Sequence, residues 1–485
     1  MPEALLHLLH KPFVGTAVTV LWILHVSLLS GWIVLQKRSP AATVAWILSL
    51  AVIPYLGFLI YYFLGPRRIR RTRLRRTRAR AAVAEARSSI THAVDESADG
   101  PLDDRSEGLS RLARITANMP LSHCTDVDIF VDGRATYDAI VEAIQAAEHH
   151  IHVEYYIFEP DEVGTRVRDA LVERARAGVA VRLLLDAVGS SRLSRAFLRP
   201  LRDAGAEVEL FHPFQPFRVK NLVNLRTHRK IVVVDGLVGF TGGFNITSTE
   251  DPRHSKDAYR DTHVRLTGLA VRWLQIVFLE DFSYATGKYL APGPECFPDW
   301  PMPARHRVQI VPSGPYGFWE PIRDLFFAAI AGAKHRVLVA TPYFVPDEPM
   351  RAALVTAALR GVDVAIMVPR KSDSWLVTFA ARSYFDELLA AGARIYEYEI
   401  MLHAKTLVVD DDFSSVGTAN MDARSFRLNF EVTAAFYSKE ITARLAQSFD
   451  DDLARSTQVS AADRKRLTFP PKLCEASARL LSPLL

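Results

Sequence analysis

A duplicated α/β fold is predicted from three observations. Strand-like and helix-like segments alternate from about Leu121 onward, the same order of segments returns later in the chain, and two long uncharged stretches precede both. The expectation is two similar α/β domains packed face to face, preceded by an N-terminal transmembrane helical hairpin. The boundaries drawn are 1–66 for the hairpin, 67–120 for an arginine-rich connector, 121–300 for the first domain and 301–485 for the second. A chain of 485 residues, 49% hydrophobic and 23% charged, has room for cores in each.

Phe13 to Gln36 ("FVGTAVTVLWILHVSLLSGWIVLQ") and Ala41 to Leu64 ("AATVAWILSLAVIPYLGFLIYYFL") carry no formal charge. Each is long enough to cross a bilayer as a helix, with Pro54 a kink in the second. The four residues between them, Lys37 to Pro40, force a tight turn with both outer ends on one side. Nine arginines follow between Arg67 and Arg80. Set against Lys37 and Arg38 in the turn, they place the rest of the chain in the cytoplasm. A cleaved signal peptide is disfavoured by the second span. Beside membrane helices, the arginine run suits anionic lipid headgroups better than nucleic acid. Cys124, Cys296 and Cys474 are odd in number and scattered, which excludes a disulfide framework or a C-x-x-C metal knuckle. Walker, H-E-x-x-H and G-x-S-x-G motifs are absent.

In the first half, "IHVEYYIF" reads as a strand, "TRVRDALVERARAG" as a helix stopped by Gly178, and "VAVRLLLDAVG" as a buried strand. "FLRPLRDAGAEVELF" then supplies a helix and strand. "HRVLVATPYFVPD", "MRAALVTAALRG" ending at Gly361, "VDVAIMVP" and "YFDELLAAGARIYEY" repeat that order. The proline-rich stretch from Pro292 to Arg305 divides the halves.

Each half ends its repeat with the same chemistry: "THRKIVVVDG" holds His228, Lys230 and Asp235, and "LHAKTLVVDD" holds His403, Lys405 and Asp410. A single H-x-K-x4-D arises by chance in roughly two chains in a hundred, but two at matching places in a duplication do not. Beyond each lies a glycine turn and an asparagine, "GGFN" with Asn245 and "GTAN" with Asn420. Histidine and lysine two apart share one face of a strand end, while the apolar run behind them is buried. If the two ends meet, two imidazoles, two ammonium groups and two amides converge on one shared active site. That donor set suits a phosphodiester oxyanion with neither metal nor cofactor. One histidine attacks phosphorus; the other protonates the leaving alkoxide and later deprotonates the incoming alcohol. Asp235 and Asp410, beside turns, suit catalysis and backbone capping equally. His149, His150 and His152 have no such partners and read as surface or packing residues.

These residues resemble the phospholipase D superfamily, and more narrowly the bacterial cardiolipin synthases. The likeness runs through "RSPAATVAW", "IHVEYYIF", "HRKIVVVDG", "GGFNI", "YRDTHVRL", "ATPYFVPDE", "RSYFDELL", "YEYEIMLHAK" and "NMDARSFRLNFEV". It implies transfer of a phosphatidyl group between two phosphatidylglycerols, giving cardiolipin and glycerol through a phosphohistidine. His228 is the implied nucleophile and His403 the acid and base, with Lys230, Lys405, Asn245 and Asn420 on the phosphate. Each histidine is expected to be oriented by an acid downstream of its own motif, Asp261 for His228 and Glu431 for His403. Phosphatidylglycerol and anionic lipids are the implied partners, at the bacterial inner membrane and without nucleic acid; no oligomeric state is implied. One departure stands out: "TSTEDPRHSKDAY" replaces the acidic, glycine-containing stretch usual after "GGFNI".

Overall fold

The computed structural model describes residues 12–35, 40–52, 70–88, 102–213, 225–288, 290, 292–300 and 302–482. It comprises two units, Met1–Arg68 and Ile69–Leu485. The first holds the helices Pro12–Val34 and Pro40–Val52, which pack through Ile33, Leu50, Leu29 and Trp46. Counted over the described residues alone, no helix is long and apolar enough to cross a membrane. The later part of the expected second span, from residue 53, lies outside the described residues.

The second unit is built on two mixed sheets. The first runs Asp126–Phe130, His263–Thr267, Val238–Gly242, Ile231–Val234, His150–Tyr155, Ala180–Asp186, Glu207–Phe211. In the second, His306–Ser313, Glu431–Phe436, Phe413–Gly417, Thr406–Val409, Arg336–Ala340, Asp363–Pro369 and Arg394–Tyr398 follow in the same order. Ser122–Cys124 and Ser456–Gln458 add an antiparallel edge at either end of the second sheet. Directions agree strand for strand: the last three strands of each series are mutually parallel and the other pairings antiparallel. Register agrees too, since Ile151 faces Val234 and Glu154 faces Ile231 where Val337 faces Val409 and Ala340 faces Thr406. A shared sequence pattern has become a shared ladder. The strand leaving each H-x-K motif is "IVVV" or "TLVV", β-branched and apolar, as a strand covered on both faces requires.

Gly178 and Gly361 stop their helices with φ of 94° and 87°, a region open to glycine at little steric cost. The helix Ala270–Thr286, buried from Ala270 to Tyr284, lies against strands of both sheets. Its Glu280 and Asp281 are fully buried, and basic residues from the connector meet them. Helix Arg70–Ala82 packs alongside, and Arg76 is buried with Nη2 2.6 Å from Glu280 and Nη1 on Asp281. Arg87 reaches Glu280 at 2.8 Å. Part of the expected lipid-facing arginine run is therefore spent inside the protein, because a buried carboxylate pair is tolerable only when neutralised.

Candidate active site

The loop before each H-x-K strand is held by the opposite half. Thr227 bridges to Phe430 in parallel fashion, and Arg260 bridges to Leu402. His228 N donates to Phe430 O at 2.9 Å, and His403 N donates to Arg260 O at 2.6 Å. These four strands of backbone bring the two motifs together along with the segments that carry the acids.

The acids are exchanged relative to the sequence expectation. His228 Nδ1 lies 3.1 Å from both Oε1 and Oε2 of Glu431, and His403 Nδ1 lies 2.5 Å from Asp261 Oδ2. The acid downstream of each motif serves the other motif's histidine, because the interhalf bridges set Phe430 beside Thr227 and Arg260 beside Leu402. With Nδ1–H donated to a carboxylate, each Nε2 is left for chemistry. Among the described residues neither Nε2 has a hydrogen-bond partner. Glu431 and Asp261 are fully buried, and burial alone would raise both carboxyls. His228 and Lys230 outweigh it at Glu431, and Lys405 and His403 at Asp261, so both are held below the usual carboxylate range.

Small differences accommodate the two acids. A Cβ on Gly243 would lie 1.9 Å from Asp261 Oδ1, so the backbone approaches the short carboxylate directly. The equivalent position in the second half is Thr418, whose hydroxyl donates to Glu431 Oε2 at 2.5 Å.

Lys230 and Lys405 are buried, and each ammonium donates to the carbonyl of its own motif histidine, Lys230 at 2.8 Å. Lys405 Nζ also lies 3.9 Å from Asp261. Burial and then the charge of Lys405 push Lys230 down to about 7; burial lowers Lys405 despite Asp261 and Glu250. Burial, reinforced by both lysines against Glu431, pushes His228 down to about 4. An anionic phosphodiester beside these groups would favour their charged forms.

Asn245 is clamped by Glu250: its N donates to Oε2 at 2.8 Å and its Nδ2 to Oε1 at 3.0 Å. Asn420 has Ser425 at the same offset, and its N donates to Ser425 Oγ at 3.2 Å. Among the described residues, Asn420 Oδ1 is buried with no hydrogen-bond partner. Tyr156 meets the His228 ring edge-on at 5.0 Å, and Tyr259 lies 6.0 Å from His403.

Asp235 and Asp410 stay out of this cluster. Each sits at the far end of its strand, about 16 Å along the chain from the lysine, in left-handed backbone at φ 52° and 54°. Asp235 accepts from the amides of Glu148, His149 and His150 at 2.7–2.8 Å. Asp410 accepts from those of Lys334, His335 and Arg336 at 2.7–3.2 Å. They tie the preceding strand's start to the turn, the capping role. His150 and His152 are buried packing residues, His152 stacked on Phe278 at 4.5 Å.

Arg229, the residue between His228 and Lys230, drew no notice in the sequence. It is fully buried, with Nε donating to Glu431 O at 2.9 Å, Nη2 to Ser313 O at 3.1 Å and to Tyr316 OH at 3.2 Å, and Nη1 on Asp281. Asp281 thereby joins Arg229 to Arg76 in the connector helix. Among the described residues no group of three or more His, Cys, Asp or Glu is arranged to hold a metal ion.

Fold and site together place the molecule among duplicated PLD-like α/β proteins. The family described as "Cardiolipin synthase, PLD-like domain" matches residues 140–252 and 326–453, and "Phospholipase_D-nuclease N-terminal" matches 18–66. The chain is 39% identical to the cardiolipin synthase of Alkalihalophilus pseudofirmus over 97% of its own length and 94% of that protein. It is 41% identical to that of Geobacillus kaustophilus, covering 93% and 90%. The crystal structure of phosphatidylserine synthase from Haemophilus influenzae shares the fold at a TM-score of 0.58 and 15% identity, covering 78% of this chain and all of that one. The chain belongs to the cardiolipin synthase, PLD-like domain family.

Proposed function

We propose that the protein is a phosphatidyltransferase that converts two phosphatidylglycerol molecules into cardiolipin and glycerol. One observation carries the reading: two histidines, each fixed through Nδ1 by a carboxylate from the other half, offer unbonded Nε2 atoms beside two buried lysines. Cardiolipin synthases related over nearly the full chain supply the substrate class.

His228, kept neutral by burial and the lysine charges, is the nucleophile. Its Nε2 forms the bond to phosphorus as the bond to the glycerol oxygen breaks. His403 gives its Nε2 proton to that oxygen, its cation supported by the anionic Asp261. Neutral His403 then takes the proton of a second phosphatidylglycerol's headgroup hydroxyl. That oxygen bonds to phosphorus, the P–N bond breaks, and both histidines return to their starting states. Lys230, Lys405, Asn245 and Asn420 hold the phosphate oxygens. A cleft loaded from lipid favours the lipid alcohol over water at the second step.

The uncharged stretches form a membrane hairpin at the bacterial inner membrane, and residues 121–300 and 301–485 are two cytoplasmic domains. The shortness of the 37–40 joint and the excess of arginine after it support that topology. Incubating the purified protein with phosphatidylglycerol alone tests the reaction: cardiolipin and glycerol are expected in equal amounts. Phosphatidic acid without cardiolipin would reject the transferase.

A further inference from the structure

Three loops leave the strands at the end where the catalytic side chains gather. Each has an inner residue against the site and an outer residue that is large and apolar. Residues 314–320 follow Ser313, which pairs with Glu431; Tyr316 accepts from Arg229 while Phe318 and Trp319, ring edge to ring at 4.8 Å, are 66% and 50% exposed. Residues 370–374 follow the strand Asp363–Pro369. Tyr343 OH donates to Asp373 at 2.8 Å, the charge of Asp373 reaches Lys405 and Tyr259, and Trp375 beyond it is 71% exposed. Residues 187–194 follow Asp186; Gly189 lies against Tyr156, the neighbour of His228, and Val188 is exposed.

An isolated exposed apolar residue is ordinary, but indole and phenyl rings on two of three loops at the same end of the sheets, with Val188 on the third, are not. Trp and Phe beside basic side chains match the headgroup level of a bilayer, and exposed Arg370 and Lys371 precede Trp375 in the same loop. Arg76 and Arg80 of the helix Arg70–Ala82 cover the Tyr316 ring at 4.6 and 5.3 Å, so cationic side chains also lie behind the first loop. We propose that these three loops are the surface by which the protein engages an anionic bilayer, seating the cleft mouth among the headgroups so that a lipid's phosphate rises to the histidines while its chains stay in the membrane. The inference rests on the phosphatidyl-transfer reading and adds the face, the residues and the occupant.

Its test uses the full chain reconstituted in phosphatidylglycerol vesicles. In a Cys474→Ser background, whose remaining cysteines Cys124 and Cys296 are buried, an environment-sensitive dye is placed at Trp375→Cys, at Trp319→Cys, or at Leu359→Cys. Leu359 is exposed and lies next to the start of the strand Asp363–Pro369, at the opposite end of the sheet. Chain-brominated lipid is expected to quench the dye at 375 and 319 and to leave 359 unquenched. Equal quenching at all three, or none at 375 and 319, overturns the proposal. Crosslinking of 375 or 319 between two copies in place of quenching also overturns it, in favour of a self-association face.

Activity gives the second arm. The variant Phe318→Ser/Trp319→Ser/Trp375→Ser is expected to lose about tenfold in rate on vesicles diluted with zwitterionic lipid. On a monomeric short-chain phosphatidylglycerol it should match the parent. Unchanged vesicle activity overturns the docking surface alone. Absence of turnover of the soluble substrate by the parent protein sinks the transferase reading instead.

Discussion

Asp281 is the residue whose loss the structure prices most clearly. It and Arg229 are fully buried and Arg76 is nearly so, and its carboxylate is the common partner of both guanidinium groups. Asp281→Ala leaves two buried cations facing each other, with Glu280 able to compensate Arg76 at 2.6 Å but not Arg229. Removing one member of a buried pair costs about 3–5 kcal/mol, a large share of the roughly 5–15 kcal/mol that holds a domain folded. Arg76→Ala should cost less, since Asp281 keeps Arg229 and Glu280 keeps Arg87. Chemical denaturation in detergent micelles, followed by tryptophan emission, measures both. Arg229 also braces the backbone of Glu431, so Asp281→Ala should lower kcat at temperatures where it remains folded, while KM changes little. A cost below about 1 kcal/mol, or equal costs for Asp281→Ala and Arg76→Ala, would refute the reasoning from buried charge.

Glu431→Gln and Asp261→Asn should each reduce kcat by about 10²–10⁴-fold, and rapid-quench kinetics should place the first defect in phosphoenzyme formation and the second in proton transfer. Burial and the charge of Lys405 push Lys230 down to about 7. A bound phosphodiester favours the charged form, so inhibition by inorganic phosphate should weaken with rising pH above about 7, and Lys230→Arg should flatten that dependence. The same depressed pKa means that the unfolded chain binds more protons than the folded one between about 7 and the usual lysine value. The Lys230 contribution to stability therefore rises with pH across that window in the unliganded protein, and denaturation midpoints across it check the sign. Asp410→Ala should cost about 1–3 kcal/mol through its stranded amides and leave kcat near that of the parent. The carboxyl of Asp410 is held below its ordinary range by those amides against the opposing effect of burial. Its contribution is thus complete above the ordinary carboxylate pKa and lost as pH falls through the lowered one.

Strand alternation made the histidine–lysine pairs legible, since residues two apart must share a face, and repetition made them one site. Gly178 and Gly361 read correctly as helix stops because their positive φ is a local requirement. The acids did not read correctly. Proximity along the chain joins Asp261 to His228, but the backbone bridges from Thr227 to Phe430 and from Arg260 to Leu402 exchange them, and no local pattern encodes an exchange between halves. Asp235 and Asp410 were ambiguous because a carboxylate before a turn has the same appearance whether it caps amides or meets substrate. The arginine run misled in part, as a charge cluster looks solvated until its partners are found. Those partners, Glu280 and Asp281, stood in plain view as the lone acids of "WLQIVFLEDFSYA", an otherwise apolar helix where two carboxylates demand cations.

The mechanism turns on which histidine carries the phosphatidyl group. A phosphatidyl ester with a p-nitrophenolate leaving group needs no acid, so His403→Gln should still form the covalent species and then fail to pass it on. Mass spectrometry of the quenched, digested protein should find an acid-labile phosphatidyl adduct on the peptide containing His228. An adduct on the His403 peptide of the parent protein, or a burst of p-nitrophenolate from His228→Ala, would contradict the account.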